Sequence, residues 1–348
     1  MNRNHEIALL AELAERRGCY FHGSTPALQR ALRRRVAAGT LVSPYRNLYA
    51  RASYWESLNP RQRLMHLILS LAMRYPHWTF AATSAAAVHE LELPWTCIGN
   101  LHVTIADTFC GTAKRRNGTR RIFMRGIPKQ RRTIPPLQFT ADQRAEYGRY
   151  DSTQALRRRL AQSVTICATT AARTLVDCGM RLDFAPALAI ADSALRKRLT
   201  HADEVDACCN QLRYGHDQVR HLMQCANPLS ENGGESLCRA GIIAAGYATP
   251  QLQREFIDPR DPLNKARADF VWDAPDGRTI VLEYDGMRKY VDPAMTKRQD
   301  IADVVAAQLK RDTMLKRAGV DSIIHVTYDE ALDLHVLRDK LARAGVPR

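Results

Sequence analysis

The sequence contains no stretch of about 18 consecutive apolar residues, so it has no membrane span of ordinary helical length. Its opening stretch, MNRNHEIALLAELAERRG, carries Glu6, Glu12 and Glu15 where a secretory signal is apolar, which excludes that class of leader. No CxxC pair and no Cys/His spacing of a zinc site occurs. The nine cysteines are scattered and odd in number, as expected of reduced thiols packed as small hydrophobes in a cytoplasmic protein. Neither GxGxxG nor a P-loop signature is present, which leaves nucleotide binding without a motif. Acidic residues are few: 36 Asp and Glu stand against 51 Lys and Arg, a formal net charge of +15.

What is present is a chain of 348 residues, 45% of them hydrophobic, enough to build two or three globular domains. A basic excess of this size points to a polyanionic partner, most commonly nucleic acid. The positive charge is clustered. The segment from Lys114 to Arg132 holds Lys114, Arg115, Arg116, Arg120, Arg121, Arg125, Lys129, Arg131 and Arg132 with no acid among them. A second run, Arg30, Arg33, Arg34 and Arg35, falls within one short helix. Such clustering favours a phosphate-binding surface over a merely solvated face.

Residues 1–55 read as a first module. Ile7, Leu10, Ala11 and Ala14 recur at the spacing of one helix face, and Gly18 ends that helix. Thr25 can cap a second helix with Pro26 at its first position; Leu28, Leu32 and Val36 line one side and Arg30, Arg33 and Arg34 another. Leu41-Val42, the turn around Arg46 and Leu48-Tyr49 then read as a short hairpin with an arginine at its tip. Helix, basic helix and hairpin is the order of a winged helix, which lays one helix in the major groove of DNA. With Gly39 after the basic helix and GTLVSPYRNLYAR as its wing, this module resembles the N-terminal DNA-binding domain of AbiEi-type antitoxins. The stretch from Gly18 to Ser24 is too short for an evident middle helix.

The middle region, 60–225, carries structural rather than chemical signals. Thr79 to Leu93 predicts a strand end and an alanine-rich helix, and Leu101 to Ile105 a short strand. The basic segment predicts a loop or hairpin turning at Asn117-Gly118, and Ala168 to Leu199 a long amphipathic helical stretch around Asp177 and Asp192. Ser84 and His89 lack an orienting acid and are better read as packed helix residues than as a catalytic pair. The order SAAAVHELELPW, LHVTIA and TAARTLVDCG extends the likeness to AbiEi-like proteins over most of residues 1–200.

The third module, 229–348, holds the chemistry. A helix entered through Asn232-Gly233-Gly234-Glu235 runs to Ala245, followed by β-patterned segments Leu252–Ile257, Ala266–Trp272 and Thr279–Tyr284. A helix from about Thr296 to Ala318, a strand Ser322–Thr327 and a closing helix Asp329–Ala344 complete the order α-β-β-β-α-β. Asp269 lies in the second strand, and Glu283 and Asp285 close the third with side chains on one face. Carboxylates converging at a sheet end do not stay ionised cheaply without a cation, and magnesium, a hard ion, suits such a site. Glu235, early in the preceding helix, adds a fourth carboxylate.

The combination of Glu235, Asp269-Phe270 and Val281-Leu282-Glu283-Tyr284-Asp285-Gly286 in this order resembles the PD-(D/E)XK nuclease superfamily, and within it the very-short-patch-repair-like endonuclease domains. The resemblance covers about 110 residues and implies Asp269, Glu283 and Asp285 as ligands of Mg²⁺ or Mn²⁺, with Glu235 assisting. The superfamily lysine would fall where Asp285 stands, so Lys289 is the candidate to orient the nucleophile, with Lys310 and Arg311 as helix-borne alternatives. Gln308 stands where relatives are expected to carry an acid.

The sequence therefore predicts a cytoplasmic protein of α/β class, α+β in overall layout: a winged helix, a mixed middle region and a nuclease-type domain. Its expected activity is metal-dependent hydrolysis of DNA phosphodiesters in a phage-defence or toxin–antitoxin setting, with Arg30, Arg33, Arg34, Arg46, Arg115, Arg116, Arg120 and Arg121 binding DNA. The alternative is an AbiEi-like antitoxin or transcriptional regulator, for which a cognate toxin is a candidate partner, whose nuclease-fold domain is catalytically weak or inactive.

Overall fold

Helix α1 (Arg3–Arg17) begins where the Asn2 side chain accepts from the Asn4 and His5 N–H groups, and ends at Gly18, whose φ of 69° few other residues adopt. Helix α2 (Pro26–Ala37) is capped by Thr25, which accepts from the Leu28 N–H, and buries Leu28 and Leu32. No helix lies between them. The chain passes in extended form, and Phe21 pairs antiparallel with Tyr49 of the hairpin made by β1 (Leu41–Tyr45) and β2 (Leu48–Arg51). This computed structural model describes residues 2–99, 101–108, 118–212, 214–286 and 301–348. The protein is mixed α/β and divides into two units, Met1–Cys178 with Asp203–Gln211, and Gly179–Ala202 with Leu212–Arg348. Among the described residues no helix is long and apolar enough to cross a membrane, and the described cysteines are free thiols.

The first unit continues through α3 (Ala52–Ser57), α4 (Pro60–Arg74), β3 (Thr79–Phe80), α5 (Ala82–Val88), β4 (Val103–Asp107), β5 (Thr119–Phe123), β6 (Lys129–Ile134), α6 (Ala141–Tyr147), α7 (Asp151–Leu160), β7 (Val164–Thr169) and α8 (Ala171–Gly179). Five of its strands form one sheet in the order β5-β4-β3-β7-β6. β5 runs parallel to β4, which excludes a hairpin between them, one of the two forms expected of the basic segment; Lys114 to Asn117 lie outside the described residues. The helical stretch expected over 168–199 is two helices preceded by a strand end. Thr169 ends β7, α8 stops at Gly179, and α9 (Phe184–Arg196) starts afresh after Asp183, whose backbone is extended. Ser84 and His89 behave as structural residues: Ser84 Oγ accepts from the Thr104 N–H at 2.9 Å, and His89 Nε2 bonds the Thr169 carbonyl at 2.7 Å.

Beyond α10 (Ala202–Cys209), the second unit comprises α11 (His216–Cys225), α12 (Gly233–Ala244), β8 (Gln251–Asp258), β9 (Asp261–Asp273), β10 (Thr279–Asp285), α13 (Ile301–Arg317), β11 (Ser322–Thr327), α14 (Tyr328–Leu332) and α15 (Leu334–Ala344). The closing helix is thus two, divided at Asp333, whose side chain caps α15 by accepting from the His335 and Val336 N–H groups. The sheet runs β11-β10-β9-β8, with β8, β9 and β10 an antiparallel meander and β11 parallel to β10. A parallel return needs a crossover, which α13 supplies. One core layer packs Cys238 and Ile242 of α12 and Leu337 and Leu341 of α15 against Phe270, Trp272, Ile280 and Leu282. The other packs Met314 and Leu315 of α13 against Ala266, Ala268, Val271 and Val281. The unit is a helix–sheet–helix sandwich.

Helix α12 is tied to α9 by a buried ion pair. Arg239, 1% exposed, donates to both carboxylate oxygens of Asp192 at 2.7 and 2.6 Å and also to the Cys225 carbonyl. Asp192, fully buried, further accepts from the Asn227 N–H at 2.8 Å. Removing one partner strands the other charge out of water, so Arg239→Ala should destabilise the second unit by about 3–5 kcal/mol. Replacing both together, Arg239→Met with Asp192→Leu, should recover most of that loss in urea-unfolding midpoints.

Candidate functional site

The site lies where α12 begins beside the β8–β9–β10 meander, and each of its acids reaches it for a local reason. Asn232 caps α12, its side-chain oxygen accepting from the Gly234 and Glu235 N–H groups. Gly234 allows the helix start to lie against Tyr284: a Cβ there would come within 2.3 Å of the Tyr284 hydroxyl. Glu235 follows, 5% exposed, and accepts from the Glu231 N–H at 2.7 Å, the Asn232 amide at 2.6 Å and the Gln253 amide at 3.1 Å.

Asp269 stands opposite Gln253 and one step beyond the paired residues Leu282 and Phe270. In this stretch the in–out alternation of β9 slips: Ala266 and Ala268 face the α13 layer, whereas Phe270 and Trp272 face the α12 layer. Across the ladder Gln253 holds a left-handed φ of 55°, a conformation that costs a non-glycine residue about 1–3 kcal/mol. Its amide bridges the two acids, donating to Glu235 and, at 3.3 Å, to Asp269. Asp269 also accepts from the Tyr284 N–H at 2.9 Å.

Glu283, 7% exposed, accepts from Arg311 of α13 at 2.9 and 3.1 Å. Asp285, two positions on, meets His325 instead. Nδ1 of that ring lies 3.0 Å from Asp285 and 3.0 Å from the Gln308 amide, and Nε2 lies 3.1 Å from Asp312. The structure therefore groups Glu235, Asp269 and Glu283 around Asp269 and gives Asp285 a separate partner. Among the described residues, no three His, Cys, Asp or Glu side chains converge closely enough to hold an ion.

Burial dominates the electrostatics. It pushes Glu235 up to about 7, opposed by the Glu231 N–H bond and reinforced by the charges of Asp269 and Glu231. It pushes Glu283 up to about 6, opposed by Arg311 and reinforced by Asp269. Asp269 is raised too, again by burial, with the Tyr284 N–H and the Gln253 amide working against it. His325 is raised by its hydrogen bond to Asp285, against burial. These are three mutually repelling acids in a dry place, short of positive charge.

The basic residues of the first unit lie at its surface. Arg30, Arg33 and Arg34 are exposed on α2, Arg46 on the β1–β2 turn, and Arg120 and Arg121 on β5. Arg121 pairs with Asp107 at 2.8 Å. The hairpin is held against the start of β5 by a 2.9 Å hydrogen bond between the Tyr45 hydroxyl and Thr119 Oγ1. Arg115, Arg116 and Lys289 lie outside the described residues. Sequence reasoning missed Gln253, Asp312 and His325. Only His325 left a trace: it is the histidine that pairs with Glu283 in the parallel β10–β11 register, and that register is legible once the crossover is assumed.

Comparison of the chain with protein-family models, with curated proteins and with solved structures finds no match.

Two outcomes follow from this geometry. Glu235 binds its proton more tightly in the folded chain than its ordinary 4.5 allows, so its contribution to stability is complete below pH 4.5 and lost as pH rises toward 7. In chelator-containing buffer, Glu235→Gln should flatten that fall by roughly 2 kcal/mol between pH 5 and 7.5, read from urea midpoints. A side chain at position 234 must displace Tyr284, so Gly234→Val should lower the melting temperature and Gly234→Ala should do so less.

Proposed function

We propose that this protein binds DNA through its basic first unit and hydrolyses phosphodiesters through a metal-dependent, PD-(D/E)XK-type site in its second. The observation that carries the reading is the buried group of Glu235, Asp269 and Glu283, brought from three separate elements to one end of a four-stranded meander-plus-crossover sheet. A structural role for three such acids would be served better by one ion pair or by apolar side chains. The donor set is oxygen-only, anionic and desolvated, the chemistry that suits a hard cation such as Mg²⁺ or Mn²⁺. As they stand, Asp269, Glu283 and Glu235 do not converge closely enough to hold an ion; they would hold one only by drawing together, and Asp285 would join only by leaving His325. When bound, such an ion neutralises phosphate charge and lowers the pKa of water.

The chain's own residues do the rest. Gln253 and the Tyr284 N–H orient Asp269, and the Asn232 cap orients Glu235. Arg311, rather than the unassigned Lys289, is the cationic side chain placed at Glu283. On the first unit, Arg30, Arg33 and Arg34 offer three guanidinium groups on one exposed helix face, none paired with an acid among the described residues, as a phosphate-binding helix requires.

A second reading has its own support. Glu283 and Asp285 are already engaged by Arg311 and His325, which favours a DNA-binding regulator of AbiEi type, with a toxin as protein partner, over an active nuclease.

Plasmid cleavage with Mg²⁺ or Mn²⁺ separates the two. On the first reading Asp269→Asn abolishes cutting while leaving duplex affinity within about threefold; on the second, the unmodified chain binds DNA and cuts nothing. On both, the triple change of Arg30, Arg33 and Arg34 to Ala should weaken binding and reduce the salt dependence by about two to three released counterions. An unchanged salt slope would remove α2 from the interface.

A further inference from the structure

The turn between β1 and β2 is fixed from two sides. Asn47, at a left-handed φ of 56°, accepts from the Gly23 N–H at 3.3 Å and donates to the Gly23 carbonyl at 3.2 Å, just ahead of α2. Tyr45 reaches the other way, to Thr119 at the start of β5. Between turn and sheet lies a cleft of about 280 Å³, lined among others by Pro44, Tyr45, Arg46 and His102. Leu101, directly before His102, holds a strained left-handed φ of 36°. A Cβ at Gly118 would stand 3.8 Å from the His102 ring and 3.9 Å from the Tyr45 ring, so both rings flank one point of the cleft floor.

From Thr119 the edge strand leads away in alternation. Ile122 turns inward, while Arg121 and Phe123 share the face of Thr119. Phe123 is 46% exposed, and Arg121 remains half exposed although it pairs with Asp107. A cation beside an open ring thus occurs at both ends: Arg46 with Tyr45 and His102, then Arg121 with Phe123. At the rise of a strand, Thr119 and Phe123 are about 13 Å apart.

We propose that this face binds single-stranded DNA, with unstacked bases on Tyr45 and His102 at one end and on Phe123 at the other, and phosphates on Arg46 and Arg121. The inference rests on the reading that the first unit binds DNA and adds a second form of DNA as its ligand. A duplex presents phosphates but closes its base faces by stacking. An exposed ring gains from nucleic acid only where a base face is free. Arginines alone would fit a duplex; arginines interleaved with open rings fit a single strand. The cleft lies at the small end of ligand sites, which suits one base. Because the turn is tied to the entry of α2, a strand leaving a duplex held on that helix meets the cleft, and such a strand is DNA. Asp107, the acid opposite Phe123 on β4, is neutralised by Arg121.

The test is fluorescence anisotropy on the full chain with three labelled probes: a thymidine oligomer about twelve nucleotides long, an abasic oligomer of the same length, and a duplex. The thymidine oligomer should bind on the order of tenfold tighter than the abasic one, a preference that charge alone does not give. Phe123→Leu should remove most of that preference, Phe123→Tyr should keep it, and neither should change duplex affinity. Arg46→Gln should weaken binding of both oligomers and lower the salt slope by about 0.7. Replacing Arg30, Arg33 and Arg34 by Ala should weaken duplex binding and spare the preference. Equal binding of the thymidine and abasic oligomers by the parent, an undiminished preference in Phe123→Leu, or tighter binding of a uridine oligoribonucleotide would overturn the inference while leaving duplex binding standing. Absence of binding to every probe would overturn both.

Discussion

The second unit hangs on the pairing of Arg239 with Asp192. Burying two full charges costs several kcal/mol each, and most polar atoms of the pair are answered: both Asp192 oxygens by Nη2 of the guanidinium, one of them also by the Asn227 N–H, and Nη1 by the Cys225 carbonyl, while the buried Nε finds no hydrogen-bond partner among the described residues. Arg239 lies one helical turn beyond Glu235. Whatever holds Arg239 therefore holds the start of α12, and with it the acid, against the sheet. An apolar contact of equal strength would let the helix slide; a buried ion pair whose two partners are each hydrogen-bonded elsewhere as well favours one register.

From that fixed helix the site is assembled by close approach and by one strained residue. Gly234 lets Tyr284 lie on the helix start, and Gln253, held in a left-handed conformation, turns its amide to serve two acids at once. The strain and the burial act in the same direction. Each removes water from carboxylates that would be better solvated, and each is affordable only because the surrounding sandwich is well packed. The raised acids of Glu235 and Glu283 are the electrostatic record of that arrangement. Arg311 relieves part of the repulsion with one nitrogen of its guanidinium.

The first unit spends its charge differently. Its acids and bases meet at the surface, and two of its basic strands, β5 and β6, are the two edges of the five-stranded sheet. Lysine and arginine on an edge discourage pairing with another sheet, whatever else they bind. That dual use separates Arg120, Arg121, Lys129 and Arg131 from the arginines of α2, which guard no edge and crowd one helix face. The charge of α2 has no comparable structural duty.

The amino-acid sequence by itself determined the local elements with strong periodicity or punctuation. These are α1 ending at Gly18, α2 opening at Thr25-Pro26, the β1–β2 hairpin, and the α-β-β-β-α-β order of the second unit. It also marked Glu235, Asp269 and Glu283, because acids inside apolar strand and helix patterns are conspicuous. It did not resolve the helical stretch of 168–199 into a strand end and two helices, and of the loop or hairpin expected for the basic segment the parallel run of β4 and β5 excludes the hairpin. Partner choice was beyond it. That Asp285 goes to His325, that Arg311 reaches Glu283 and that Gln253 joins two acids depend on strand register and on the crossing of α13 over the sheet. A hydrogen bond is decided by a few tenths of an ångström, and only the packed tertiary structure sets distances between residues so far apart in the chain.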